Sequence, residues 1–532
     1  MNLVRRRSDL GAWAPALLVL VVAVPVAMVV LLHGWSGLYG QDAYAYQGYA
    51  IGELRAAILE MRAPAPFTWP PGFPLAVAVT SLVTGPGTLA GQLVSLVTGA
   101  AVPVFVFLLA RELVVPLGWP RRTTPLLAGT IAAVTPHLWQ SAAVVMSDTT
   151  GLAPMTLGAW ALARWANGGR TRWSVLAAAS CAFAADTRWA YGIATLPLAI
   201  AGVVIARRRA AGCGWRGVAH EAGPATAAGL AVLAPMVGPM LWSASRSEPV
   251  PFAIELGSHA WSVDHLLGST GTTADGAMHY AWPMLPWMAA QPFQPYHLGP
   301  VLGLAALAGT VLVLRRPSVV VVAMLVGWPL AVLGFLSGDV IQNTRFALAV
   351  LPPLAILAAG GVCSAIAWLE RRRGERGAPW LVHGAWVMVA IVLVTQAAAS
   401  WRFTDTFVDR LQADQVAVEG LVVQVPPGDR LVGFQATLQL RQEGRDVIEL
   451  ADLDTAAASV LLADGGPTWV LAPADAFGPQ WAGAREGAVL AVLSASASWH
   501  EVARDGTWRL WRVGAEPVAR QGAYPLMMCR PC

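Results

Sequence analysis

Long apolar runs separated by short polar breaks set the pattern of this chain. The first covers residues 12–32, and others follow at 91–110, 125–143, 149–165, 173–187, 189–206, 225–242, 298–314, 318–336, 346–369 and 380–399. Most approach the roughly 20 residues that an α-helix needs to cross the hydrocarbon of a bilayer, so the pattern predicts about 11 transmembrane helices. The first run follows a basic start, as in a secretory signal, but it has the length of a full span and reads as an uncleaved helix. The segment 71–84 reads as a half-helix or a short extra span. Two polar stretches, about 38–90 and 243–297, are long enough to form structures of their own. Loops of that length tend to be functional.

Near Trp401 the pattern changes to that of a soluble domain. DTFVDRLQADQVAVEGLVVQV has helical periodicity, DRLVGFQA, DVIELA and PTWVLAPA read as short strands, and TAAASVLLADG reads as a helix between them. Asp505 and Gly506 sit between alternating runs, a hairpin signal. The expected organisation is a multi-spanning domain over 1–400, a small α/β domain over 401–513 and a tail over 514–532. The tail carries Cys529 and Cys532, a lone CxxC that gives little metal signal without a second ligand pair.

Composition sharpens the membrane reading. Of 532 residues, 56% are hydrophobic and 12% charged, and mean hydropathy is +0.56, outside the range of ordinary soluble proteins. All 35 basic residues are Arg, which with so much Ala, Gly and Val points to GC-rich coding and a bacterial source. Nineteen of them fall in alternate loops, whereas the opposite loops hold only Arg55, Arg62, Arg188, Arg246 and Arg345. By the positive-inside rule this asymmetry makes the N-terminus cytoplasmic and places the C-terminal domain outside a plasma (inner) membrane. It records topology, so the net charge of +4 is no sign of nucleic-acid binding. No internal repeat suggests a transporter built from two related halves.

The candidate chemistry lies at the outer ends of the runs. Asp42 opens the first outer loop among Tyr39, Tyr44, Tyr46 and Tyr49, which can stack on or hydrogen-bond to a sugar, and Trp69 follows in an aromatic and proline segment. Asp148, Asp186, Arg188 and Arg345 each border an apolar run, where an ionisable group costs about 2.5 to 3.5 kcal/mol and usually has a partner or ligand. Snorkelling to the headgroups is the alternative. Outward carboxylates and Arg beside apolar helices suit a lipid-linked phosphate. Arg345 or Arg188 pairs with phosphate oxygens while Asp42, as base, takes the proton of an attacking hydroxyl, and one direct displacement inverts the anomeric carbon. In the second outer loop His259, Asp264 and His265 could position acceptor or phosphate, and a solvated loop explains them equally well. Trp69 and Trp261 are the Trp residues best placed to meet sugar, the rest suiting interfacial belts.

Five pieces in order carry a resemblance: Asp42 after the first helix, WPPGFPL (69–75), SDTTGLAPMTLGAWALARW with Asp148, ADTRWAYG with Arg188, and TRFALAVLPPLAIL with Arg345. Over about residues 1–400 this order resembles the GT-C glycosyltransferases that use polyprenyl-phosphate sugars, the group containing protein O-mannosyltransferases and lipid A aminoarabinose transferases. The resemblance implies a polyprenyl-phosphate-linked sugar donor and a glycan, lipid or protein acceptor. It also implies a catalytic acid at Asp42 and a second acid at Asp148 that helps bind acceptor or metal. Many relatives carry two adjacent acids in the first loop, whereas here Gln41 and Ala43 flank Asp42. No cofactor is therefore assigned and the metal ligands stay unknown; a divalent ion, if used, falls to Asp42, Asp148 and a loop His. Two competing readings are a membrane transporter or lipid-handling protein, and a surface-glycan polymerase or ligase of another fold with its key groups in the 243–297 loop.

Overall fold

A backbone in lipid has no water to satisfy its N–H and C=O groups, so apolar runs of this kind fold as helices. The computed structural model describes residues 9–211, 213–247, 261–273, 276–316, 318–376 and 379–514. His259 and the Cys529 and Cys532 pair lie outside the described residues. The chain divides into two compact units, one of Met1–Ala274 with Met278–Gln412, the other of Asp275–Ala277 with Ala413–Cys532. The composition change at Trp401 falls inside a continuous helix, Pro379–Val422, rather than at a break.

The first unit is helical. Among the described residues, seven helices are long and apolar enough to cross a membrane: Ala12–His33, Leu89–Leu117, Trp189–Arg209, Gly214–Ser245, Val319–Leu336, Thr344–Arg371 and Trp380–Val422. Shorter apolar helices occupy Gly72–Thr84, Thr123–Ala133 and Gly299–Leu314. The runs at 149–165 and 173–187 form the helices Ser147–Ala166 and Arg172–Thr187, which do not reach that standard of length and hydropathy. In the Thr344–Arg371 span 83% of the most apolar window is buried, against 6% in Gly214–Ser245, so the former lies in the interior of its unit and the latter at its edge.

Small residues let the central helices approach. A Cβ at Gly309 would strike the backbone at Leu357, and one at Gly361 the backbone at Ala305, so the helices Gly299–Leu314 and Leu351–Arg376 meet main chain to main chain. The run at 318–336 is interrupted by a π-helical turn, Ala323–Gly327, just before Pro329, which has no N–H to continue the ladder. A second π-helical turn, Tyr49–Leu54, lies between the helices Gly40–Gly48 and Arg55–Glu60. The stretch 243–297, without clear period in the sequence, contains two short strands, β1 (Thr270–Thr273) and β2 (Gly276–His279), and the helix Met284–Ala290.

The second unit holds a five-stranded sheet built from β3 (Arg430–Gly433), β4 (Ile448–Glu449), β5 (Thr468–Pro473), β6 (His500–Asp505) and β7 (Trp508–Val513). Its order is β4-β3-β5-β7-β6, with β4, β3 and β5 parallel and β7 antiparallel to both β5 and β6. Alternate side chains of a strand face opposite ways. Leu431, Leu471 and Leu510 accordingly pack against Val418, Leu421 and Val422 of the long helix, while Val432, Val470 and Trp511 pack with Ala458, Leu490 and Leu493. The sheet is thus covered by helices on both faces. Gly506, at φ +52°, supplies the left-handed residue that closes the β6–β7 turn.

Candidate functional site

Asp148 lies in the first turn of the helix Ser147–Ala166, buried to 3% side-chain exposure, and its position is fixed from several sides. Arg188, between the helices Arg172–Thr187 and Trp189–Arg209, donates to Oδ1 of Asp148. The Tyr191 hydroxyl donates to the Asp148 main-chain carbonyl at 2.9 Å. That approach requires a glycine at 151, because a Cβ there would run into the Tyr191 ring. The helix N-terminus adds a partial positive charge that favours a carboxylate in its first turn.

Arg345 completes the cluster. It opens the turn Thr344–Val350 ahead of the Leu351–Arg376 helix, and Oδ1 of Asn343 accepts its main-chain N–H at 3.0 Å as the local cap. Its Nη2 is 3.6 Å from Oδ2 of Asp42, and its Nε is 3.7 Å from Oδ2 of Asp148. Two guanidinium groups share one aromatic ring, with Arg188 at 5.0 Å and Arg345 at 5.8 Å from the Phe346 centroid. The two acids differ sharply in setting, since the Asp42 side chain is 44% exposed. Both Oδ2 of Asp148 and Nε of Arg345 are buried without a hydrogen bond, so the cluster retains hydrogen-bonding capacity. The space enclosed by Asp148, Arg188, Tyr191, Arg345 and Phe346 measures only about 10 Å³, room for one water. A phosphate there must part the side chains.

The segment after the first helix is held against this cluster by main-chain contact. The amide of Val145 donates to the carbonyl of Gly37 at 2.8 Å, and Gly37, at φ +82°, has Gln92 and Val145 where a Cβ would stand. Tyr39 is next to Arg345, Asp42 and Asp148; desolvation raises its phenol pKa above the ordinary value, with Arg345 opposing, so it remains a neutral partner at the rim. Burial and then the Asp42 charge push the Tyr46 phenol up to about 12. Farther along the loop, hydrogen bonds from Arg62 and then from the Ala65 amide hold the Glu53 carboxyl down to about 2. Glu53 and Arg55, two residues apart, do not pair; Arg62 is the partner of Glu53, at 2.6 Å.

Asp42, Asp148, Arg188 and Arg345, far apart in sequence, therefore come together. The other candidates sit in settings of their own. Tyr44 is buried on the helix Gly40–Gly48. Trp69 belongs to a ring cluster with Tyr46 and Phe67, centroids 5.4 and 5.5 Å away. His265 has Nδ1 3.0 Å from the carbonyl of Gly338, and the Trp261 indole donates to the carbonyl of Phe335, so both secure the second outer loop to the 335–338 turn. Asp186 is buried with Oδ1 unbonded, and its main chain lies against Gly72. Tyr191, Asn343 and Phe346 were not legible as site residues, since nothing in the sequence links an aromatic or amide to a partner far away in the chain. Among the described residues no three His, Cys, Asp or Glu side chains converge as metal ligands; Asp42 and Asp148 converge on Arg345 instead.

A scan against protein-family models finds no match, and neither does a search of the curated proteins. Solved structures do match. ArnT from Cupriavidus metallidurans bound to undecaprenyl phosphate aligns at TM-score 0.57 and 17% identity, covering 94% of this chain and 99% of that one. The oligosaccharyltransferase AglB from Archaeoglobus fulgidus, in complex with an inhibitory peptide and a dolichol-phosphate, aligns at TM-score 0.56 and 11% identity, covering 94% and 74%. The fold of this chain is therefore similar to that of the GT-C glycosyltransferases, as the order of its sequence motifs implies.

Proposed function

We propose that this protein is a membrane glycosyltransferase that moves a sugar from a polyprenyl-phosphate donor to an acceptor hydroxyl on the extracytoplasmic face. The observation that carries the reading is the contact of Arg345 with both acids, Asp42 at the exposed rim and Asp148 in the buried floor. The similar ArnT and AglB structures hold undecaprenyl phosphate and dolichol-phosphate. In this reading the chain crosses the plasma (inner) membrane 11 times, with its N-terminus cytoplasmic and its C-terminal α/β domain outside.

The chemistry assigns each charge a task. The donor phosphate takes its place between Arg188 and Arg345, whose forked donors suit phosphate oxygens. Asp42 accepts the proton of the acceptor hydroxyl as its oxygen bonds to the anomeric carbon. The bond from that carbon to the phosphate oxygen breaks on the far side, its electron pair leaves with the polyprenyl phosphate, and the configuration inverts. The two guanidinium groups stabilise the charge gathering on the leaving phosphate. Asp148 is too buried to reach an acceptor and acts as a positioning residue for both Arg side chains.

Sugar transfer by purified protein, supplied with radiolabelled polyprenyl-phosphate sugars and a cell-envelope extract as acceptor, tests the assignment. Asp42→Asn is expected to cost about two to four orders of magnitude in rate while donor binding persists. Equal transfer by the two proteins would remove Asp42 as the base. Substrate movement across liposomes with no transfer at all would favour the transporter reading instead.

A further inference from the structure

At the far end of the same helices lies a second charged cavity that the reaction does not use. From Leu351, beside Arg345, the helix Leu351–Arg376 runs 20 residues to Arg371, about 30 Å and the thickness of a bilayer's hydrocarbon. There a cavity of about 420 Å³ opens between the end of the helix Leu89–Leu117, the end of Gly299–Leu314 and the last turns of Leu351–Arg376. Arg315, Arg316, Arg371 and Ser364 supply its polar wall, Trp119 and Leu312 part of its apolar wall, and no carboxylate lines it. Its size falls within the range of small-ligand sites.

This cavity is built, not left over. Gly118 caps its helix at φ +64°, and the space a Cβ would take there is 3.6 Å from Nη2 of Arg316. Trp119 is buried with its ring on Gly360, where any side chain would collide with it. The three arginines have no ion pair among the described residues. Arginines in the last turns of other helices do: Arg164 bonds Glu112 and Arg209 bonds Glu221, both at 3.0 Å. Below the cavity the outward face of Gly299–Leu314 is an exposed apolar strip of Leu304, Leu307, Val311 and Leu314.

We propose that this cavity seats the phosphate headgroup of an anionic phospholipid in the leaflet opposite the Asp42 and Arg345 cluster, with the acyl chains along the Leu304 to Leu314 strip. Basic pockets between helices are suited to such headgroups, and three guanidinium groups without an ion pair among the described residues, over an apolar track, match both halves of the molecule. The inference is independent of the glycosyl-transfer reading.

Delipidated full-length protein in detergent, titrated with phosphatidylglycerol, phosphatidylcholine or glycerol phosphate and followed by thermal unfolding and native mass spectrometry, tests it. Phosphatidylglycerol is expected to raise the unfolding temperature and remain as an adduct, and phosphatidylcholine to do neither. Combining Arg315→Gln, Arg316→Gln and Arg371→Gln should weaken that binding about a hundredfold. Ser364→Trp, which fills the cavity and keeps the arginines, should abolish the adduct at an unchanged lipid-free unfolding temperature. Arg170→Gln, Arg208→Gln and Arg216→Gln together, exposed charges outside the cavity, should leave binding intact. Equal shifts with both lipids, an equal loss in the control triple variant, or a retained adduct in Ser364→Trp each overturn the proposal. A shift with glycerol phosphate as large as with the lipid overturns the lipid assignment in favour of a free phosphate ligand.

Discussion

Asp148 binds more positive charge than any other carboxylate of the cluster and is the least exposed of its members. Removing one partner of a buried ion pair leaves the others uncompensated, at a cost of about 3 to 5 kcal/mol. Asp148→Asn keeps the shape but leaves Arg188 and Arg345 facing an amide, and is expected to lower the unfolding temperature in detergent well below that of Asp42→Asn. Asp42 is half in solvent and its contact with Arg345 is long, so its replacement should leave stability nearly unchanged. A variant pair with equal stabilities would mean that the buried acid is not the anchor of the two arginines.

At the level of elements, the site depends on close approach. The helix Ser147–Ala166 meets Trp189–Arg209 through Gly151 and Tyr191, and the Tyr191 hydroxyl reaches the Asp148 carbonyl only because that face has no side chain. Gly151→Ala is expected to destabilise the protein by about 1 to 3 kcal/mol, the usual range for overpacking, and to displace Tyr191. Thermal unfolding together with the ring's aromatic signal would register both changes. The elements themselves were largely readable. Unbroken apolar runs leave the backbone little besides a helix, and the alternation around Asp505 and Gly506 leaves β6 and β7 little besides a hairpin. The π-helical turn Tyr49–Leu54 and the strands of the second outer loop were not readable, because they depend on contacts outside their own sequence. Asp148, Asp186, Arg188 and Arg345 stood out as charges beside apolar runs, which lipid makes costly, and Asp42 as an acid among tyrosines just after the first run. Tyr44 and Trp69 carried only the general affinity of aromatic rings for sugars; Tyr44 is buried and Trp69 makes a tilted contact with Tyr46 and an edge contact with Phe67.

For the whole molecule, the arrangement of arginines makes an orientation testable with a native probe. Cys213 is exposed after the basic turn at Arg207, Arg208 and Arg209, whereas Cys181 and Cys363 are buried. In a variant carrying Cys529→Ser and Cys532→Ser, a membrane-impermeant maleimide added to intact cells is expected to leave Cys213 unlabelled, and to label it once the membrane is permeabilised. Labelling in intact cells would reverse the orientation and with it the side on which the proposed reaction takes place. The space of about 10 Å³ between Asp148 and its arginines has a further consequence for catalysis. In the proposed reading an incoming phosphate competes with a resident carboxylate for two guanidinium groups, so part of its intrinsic affinity goes into the exchange. In the same reading the carboxylate recovers its partners as the spent carrier leaves, which favours release.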